Sequence, residues 1–297
     1  MLTYKQFLIL QSIEKNGKQT QRFYAKDTNI SLGAVNSVLV DLKNSGYISN
    51  GVITSEGYKS LEPYRVKRAV LLAAEFDSRI IPVTLNTPKP LVRIHGKRII
   101  DSLLDAVIAA GIEEIYIVRG YLKEQFDVLL EKYPNIRFID NPLYNQTNNI
   151  SSALYAGEKI INAYVMESDL FLKNPKLISK YQYETNYLGI KVKRTDDYCI
   201  YEKGHYIDSV SRGGENCYKM VGITYWNETD GTGMAEDIKN VFYNVPAGKE
   251  VFWGTVATVH NRGKYRIGIR ECNFDDVIEI DTFEELTKID PAYKTTL

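Results

Sequence analysis

Residues 69 to 74, Ala-Val-Leu-Leu-Ala-Ala, form an apolar run that empties directly into the polar loop Glu75-Phe76-Asp77-Ser78-Arg79. A run this short and this apolar reads as a strand buried on both faces. Such a strand delivers its loop to the carboxyl edge of a sheet, where open α/β folds bind ligands. Arg79 and Lys89 bracket the segment that follows, and Pro82, Pro88 and Pro90 keep it extended by fixing φ and disfavouring helix in the residue before each. Two cations on stiff backbone beside a strand end suit a polyphosphate.

Downstream, apolar strands and amphipathic helices alternate. Ile99 to Ile108 has helical spacing and stops at Gly111, Ile115 to Val118 is a strand, a helix should run to about Tyr133, and Ile136 to Ile139 is a third strand. This rhythm predicts a doubly wound α/β sheet, mixed but mostly parallel. The amide-rich loop Asn141 to Asn149 leads into an expected helix, Ile150 to Lys159; its amides offer the donors and acceptors that a pyrimidine edge requires, although an Asx turn capping the helix would explain them equally. Ala163 to Met166 is a further strand, ending at Glu167-Ser168-Asp169. A carboxylate there is placed to hold Mg²⁺. Asp281 again terminates a short strand, Val277 to Asp281, and also suits the N-cap of the helix that follows. Acids and aromatics gather between these points, at Asp197, Tyr225, Trp226 and Trp253, and the three aromatic residues could cage a quaternary ammonium, which is recognised by ring faces because it cannot donate hydrogen bonds.

The first 64 residues read differently. Thr3 is a plausible cap for a first helix, a second lies around Gln21 to Asp27, and Leu32, Val35, Leu39 and Leu42 mark a third. Tyr47-Ile48, the turn Asn50-Gly51 and Val52-Ile53 form a small hairpin, so the segment resembles a winged helix-turn-helix domain. It would bind DNA through Gly33, Asn36, Ser37 and Lys43, or serve for pairing two copies of the chain as a homodimer or for packing on the second domain. Its slight excess of cations over acids is a weak footprint for DNA. The boundary falls at Leu61 to Arg65, giving a winged-helix domain at 1–64 and an α/β domain at 65–297. The formal net charge of +0 argues against a general polyanion binder. No apolar stretch approaches the ~18 residues of a membrane span, the N-terminus lacks a leader pattern, and three widely spaced cysteines read as reduced thiols, so a cytoplasmic protein is expected.

The stretch from Lys67 to Leu91 resembles the signature of nucleotidyltransferases that couple an NTP to a phosphorylated small molecule, and most specifically the bacterial CTP:phosphocholine cytidylyltransferases. The likeness continues through GYLKEQF (Gly120 to Phe126), Asn148-Asn149, Ser168-Asp169, GITYW (Gly222 to Trp226) and EIDTFEEL (Glu279 to Leu286), in the family's order. It implies a nucleotide site at Leu72, Ala73, Ala74, Ser78, Arg79, Gly120, Asn149 and Ser151. Lys89 would act at the α-phosphate, Arg79 at the β- and γ-phosphates, with Mg²⁺ on Asp169 and Asp281. CTP and phosphocholine would give CDP-choline and pyrophosphate. Glu75 and Asp77 stand where the family usually has glycines, and Gly254 where it usually has an acid. Those departures leave two alternatives open: a ligand-sensing regulator with a winged-helix output, or a transferase acting on another phospho-alcohol or a sugar phosphate.

Overall fold

The computed structural model describes residues 1–295. Residue contacts divide the chain into two units: Met1–Arg65 with Tyr181–Tyr183, and the remainder from Val66 onwards.

The first unit holds α1 (Tyr4–Asn16), α2 (Gln21–Thr28), α3 (Leu32–Asn44), the hairpin β1 (Ile48–Ser49) and β2 (Val52–Ile53), and α4 (Ser55–Leu61). Thr3 and Gln6 form a reciprocal capping box on α1, and Ser31 caps α3. Phe7, Leu10, Val35, Leu42 and Leu61 close a common core. The later segment Tyr181–Tyr183 joins this unit, with the Gln182 N–H donating to the Tyr64 carbonyl at 2.8 Å and Tyr183 stacked on Tyr64. Nothing local in that tripeptide announced its membership.

The second unit begins with β3 (Arg68–Ala73), the ribbon β4 (Arg93–Ile94) and β5 (Lys97–Arg98), α5 (Ile99–Ala109), β6 (Glu114–Arg119) and β7 (Ile136–Asp140). It continues with α6 (Ile150–Ala156), β8 (Ala163–Glu167), β9 (Leu170–Leu172), the long antiparallel pair β10 (Asn186–Lys203) and β11 (Tyr206–Trp226), α7 (Glu228–Asn244), β12 (Gly268–Cys272), β13 (Val277–Glu279) and α8 (Phe283–Ile289). The seven-stranded sheet runs β10-β12-β11-β8-β3-β6-β7, and β7, β6, β3 and β8 are mutually parallel. The expected mixed, mostly parallel α/β sheet is therefore the fold. Several segments differ from the sequence reading; the stretch between Arg79 and Lys89, expected to be extended, is wound into short 3₁₀ turns at Ser78–Ile80, Val83–Leu85 and Lys89–Leu91, since proline's φ also suits such turns. The helix expected to end near Tyr133 is a 3₁₀ stretch at Lys123–Glu131, and α6 stops at Ala156 because Gly157 takes φ +53°.

β3 lies inside the sheet between β8 and β6, and Val70 and Leu71 are fully buried in the two cores on its opposite faces. The Ser168 hydroxyl donates to the Leu72 carbonyl at 2.6 Å, tying the ends of β8 and β3 together. Beyond that tie, β9 pairs antiparallel with β13, with Glu279 opposite Leu170. This ribbon carries the C-terminal acids to the edge where β3 and β8 end.

Candidate active site

At that edge lies a cleft of about 500 Å³, lined by the β3 end, the loop Glu75 to Arg79, Lys89, Asn148, Asn149, Ser152, the Glu167 to Asp169 step, and Asp197, Tyr198, Lys219, Gly222, Phe252, Glu279 and Asp281. Lys89 is only 4% exposed. Its Nζ donates to Asp77 Oδ2 at 2.7 Å and Asp169 Oδ2 at 3.1 Å, and lies 3.6 Å from Asp281 Oδ1. Arg79 Nη2 reaches Asp281 Oδ1 at 2.9 Å and Asp77 Oδ2 at 3.2 Å. Burial alone would push the Lys89 ammonium down, but the carboxylates of Asp169, Asp77 and Asp281 win and hold it above the usual lysine range.

Asp169, Glu279 and Asp281 each present a carboxylate oxygen within 4.8 Å of the others. An all-oxygen set of this kind suits a hard divalent cation. Two further observations fit one. Asp169 Oδ1 is buried without a hydrogen-bond partner. Burial, then the neighbouring Asp169 charge, pushes Glu279 up to about 7 and Glu167 well above the carboxylate range. Glu75 is likewise pushed up to about 7 by the protein crowded around it and by Asp169, although the residue keeps surface open to the cleft. Such a concentration of negative charge calls for a cation. Lys219 provides part of it, with Nζ 2.8 Å from Asp197 and 3.0 Å from Glu279.

The cap role weighed for Asp281 belongs to Thr282. Thr282 and Glu285 form the capping box of α8, which leaves the Asp281 carboxylate to face Arg79 and Lys89. Glu167 and Glu279, not singled out from sequence, sit two residues before Asp169 and Asp281. Each is the last residue of its strand, β8 or β13, and an acid closing an apolar run at the sheet's carboxyl edge is the signal that would have found them.

The expected nucleotide residues are mostly brought together. Leu72, Ala73, Ala74, Ser78, Arg79 and Asn149 line the cleft. Asn149 is fixed from both ends: its Oδ1 accepts the Trp253 N–H at 2.8 Å, and its Nδ2 donates to Glu167 at 3.3 Å. Ser151 does not line the cleft; it is fully buried and accepts from Asn141 Nδ2, while its neighbour Ser152 lines the wall. Gly120 does not line it either. Its role is clearance, since a Cβ there would lie 2.6 Å from Tyr144 and 2.8 Å from the Ala74 carbonyl.

Of the expected acceptor residues, only Asp197 reaches the cleft, and the aromatic cage is corrected. Tyr225, Trp226 and Trp253 are 2%, 0% and 1% exposed and line no part of it. Tyr225 faces one core and Trp226 the other, because consecutive residues on a strand covered on both sides are both interior. The cleft's aromatic wall is instead Tyr198 stacked on Phe252, ring centroids 5.0 Å apart. Gly254 is interior too; a Cβ there would lie 2.7 Å from the Phe252 ring, so an acid at this position would not fit as the wall is packed.

A cation pair and an acid cluster meet at the carboxyl edge of this sheet, the edge at which open α/β folds bind ligands. Comparison with known proteins agrees. Residues 68–197 match the nucleotidyl transferase family model, and residues 2–49 match a winged helix-turn-helix DNA-binding model. The chain is 30% identical over 230 residues to a 2-aminoethylphosphonate cytidylyltransferase from Lancefieldella rimae, covering 76% of this chain and 92% of that protein. It is 26% identical over 231 residues to a choline-phosphate cytidylyltransferase from Streptococcus pneumoniae, covering 76% and 98%. A solved structure of the CTP:phosphocholine cytidylyltransferase from Streptococcus pneumoniae superposes with a TM-score of 0.70 at 26% identity, over 77% of this chain and 99% of that one. The chain belongs to the cytidylyltransferase family of the nucleotidyl transferases, with a winged helix-turn-helix segment at its N-terminus.

Proposed function

We propose that this chain transfers CMP from CTP to the phosphate or phosphonate of a small acceptor bearing an ammonium head, releasing pyrophosphate. The observation that carries the reading is the meeting of Lys89 and Arg79 with Asp169 and Asp281 at one strand edge. An acceptor oxygen would attack the α-phosphorus, forming a new P–O bond as the bond to the bridging oxygen breaks and pyrophosphate departs. The nucleophile is already anionic, so no general base is required; positioning and charge stabilisation suffice. Lys89 would meet the α-phosphate and Arg79 the departing phosphates. Asn149, held at both ends, would read the base. Asp169 and Asp281, with Glu279, would hold Mg²⁺, which when bound would draw charge off the phosphates.

The names of two relatives give acceptors with cationic heads, 2-aminoethylphosphonate and phosphocholine. A primary ammonium donates hydrogen bonds and suits carboxylate oxygens, whereas a quaternary ammonium relies on ring faces. The ring wall of Tyr198 and Phe252 could serve either head, while Glu167, Glu279 and Asp197 bring three carboxylates to the same cleft, and hydrogen bonding to them favours the primary ammonium. The test is pyrophosphate release with Mg²⁺, crossing four NTPs with 2-aminoethylphosphonate, phosphoethanolamine, phosphocholine and glucose 1-phosphate. CTP with the primary amines should give the highest kcat/KM. A preference for the sugar phosphate, or for phosphocholine above both amines, would refute this assignment of the acceptor.

A further inference from the structure

The carboxylate of Asp77, like that of Asp281, lies between Lys89 and Arg79. It accepts from Lys89 Nζ at 2.7 Å, from the Arg79 backbone N–H at 2.9 Å, from Arg79 Nε at 3.2 Å, and from Arg79 Nη2 at 3.2 Å. Its backbone is anchored as well, because the Thr84 hydroxyl donates to the Asp77 carbonyl at 2.7 Å. The side chain is only 11% exposed, and the Lys89 it holds 5%. Two oxygens set between an ammonium and a guanidinium reproduce the way these groups bind a phosphate. Glu75, the other acid in the loop, faces the same cleft but makes no such bridge among the described contacts. The two acids therefore differ in kind: one adds charge to the cleft, and the other engages its cations.

We propose that Asp77 is an internal stand-in for a nucleotide phosphate, a positioning residue that holds Lys89 and Arg79 together until the triphosphate displaces it. The inference rests on reading those two cations as the phosphate-binding groups. Without a divalent cation, a polyphosphate must compete with a tethered carboxylate already bonded to both. Asp77 thereby sets the affinity for metal-free nucleotide.

The test uses the full chain and calorimetric binding of CTP, and separately of inorganic tripolyphosphate, in the presence of EDTA. Asp77→Asn keeps an oxygen for the Arg79 N–H and removes the competing charge; both ligands should bind about tenfold more tightly or better. Asp77→Gly removes the carboxylate altogether and should do the same, which covers the case in which one variant fails to fold. Glu75→Gln, compared at pH 8 where a carboxyl pushed up to about 7 is mostly ionised, removes a like charge from the same cleft without breaking a bridge, and should tighten binding by no more than about threefold. Unchanged or weaker binding by both Asp77 variants would overturn the proposal. So would a Glu75→Gln gain equal to that of Asp77→Asn, since general repulsion would then explain everything. Tighter tripolyphosphate binding in a protein that turns over no NTP would support this inference and count against CMP transfer. Turnover with unchanged affinity in both Asp77 variants would do the reverse.

Discussion

Protons and a divalent cation should compete for Glu279, and the structure sets the size of the effect. Glu279 lies in the acid cluster with Asp169 and Asp281, and burial, then the Asp169 charge, pushes it up from 4.5 to about 7. A group raised in this way favours folding in its neutral form. Its contribution is fully present below the unfolded value near 4.5 and is lost as pH rises through about 7. With the side chain 29% exposed and Lys219 alongside, the loss is on the order of 1–2 kcal/mol after solvent screening. The metal-free protein should therefore lose thermal stability between about pH 4.5 and about pH 7, and a cation binding the ionised cluster should restore it. For a ligand that must shed a proton near 7, lowering the pH from about 8 to about 6 weakens metal binding roughly tenfold. Isothermal titration of Mg²⁺ or Mn²⁺ at the two pH values measures this, and Glu279→Gln should abolish most of the slope. Metal affinity that is equal at both pH values, or tighter in acid, would refute the reasoning.

Gly222→Ala should disturb the same cleft from beneath. The new Cβ would fall 2.5 Å from Glu167 Oε2 and 2.8 Å from Glu167 Cβ, so Glu167 must move and release Asn149; the expected cost is about 1–3 kcal/mol by chemical denaturation, together with a raised KM for CTP. In the winged-helix segment, Gly33, Asn36, Ser37 and Lys43 are exposed, but Leu32 and Val40 are exposed beside them on α3 and Lys43 is the only cation in that helix. Duplex DNA binding, read by fluorescence anisotropy, should be weak, with a shallow salt dependence. Nanomolar affinity at physiological salt would overturn that expectation.

The parts of this molecule legible in its sequence are those where local pattern and tertiary position coincide. The run Ala69 to Ala74 gave its strand away because a central parallel strand is apolar on both faces, and the loop after it had to emerge at the sheet edge. Asp169 and Asp281 were visible for the same reason, as acids ending apolar runs. The β10 and β11 hairpin was not seen, since its outer half alternates polar residues and carries register shifts near Thr195 and Cys199 that break the period. The aromatic cage failed on a matter of facing. β11 lies between β8 and β12 with cores on both sides, so GITYW had no solvent face on which to offer Tyr225 or Trp226. Asp77 had been legible only as a foreign charge in a phosphate loop; that it pairs with Lys89 depends on a residue twelve positions away across two prolines.

The central claim is that Lys89, held against Asp169 and Asp281, stabilises charge at the reacting phosphate. Measured as pyrophosphate release from CTP with the preferred acceptor, Lys89→Met should lose about three orders of magnitude in kcat, while Arg79, Asp169 and the core keep the variant folded by circular dichroism. A folded Lys89→Met protein with turnover close to that of the native chain would contradict the account.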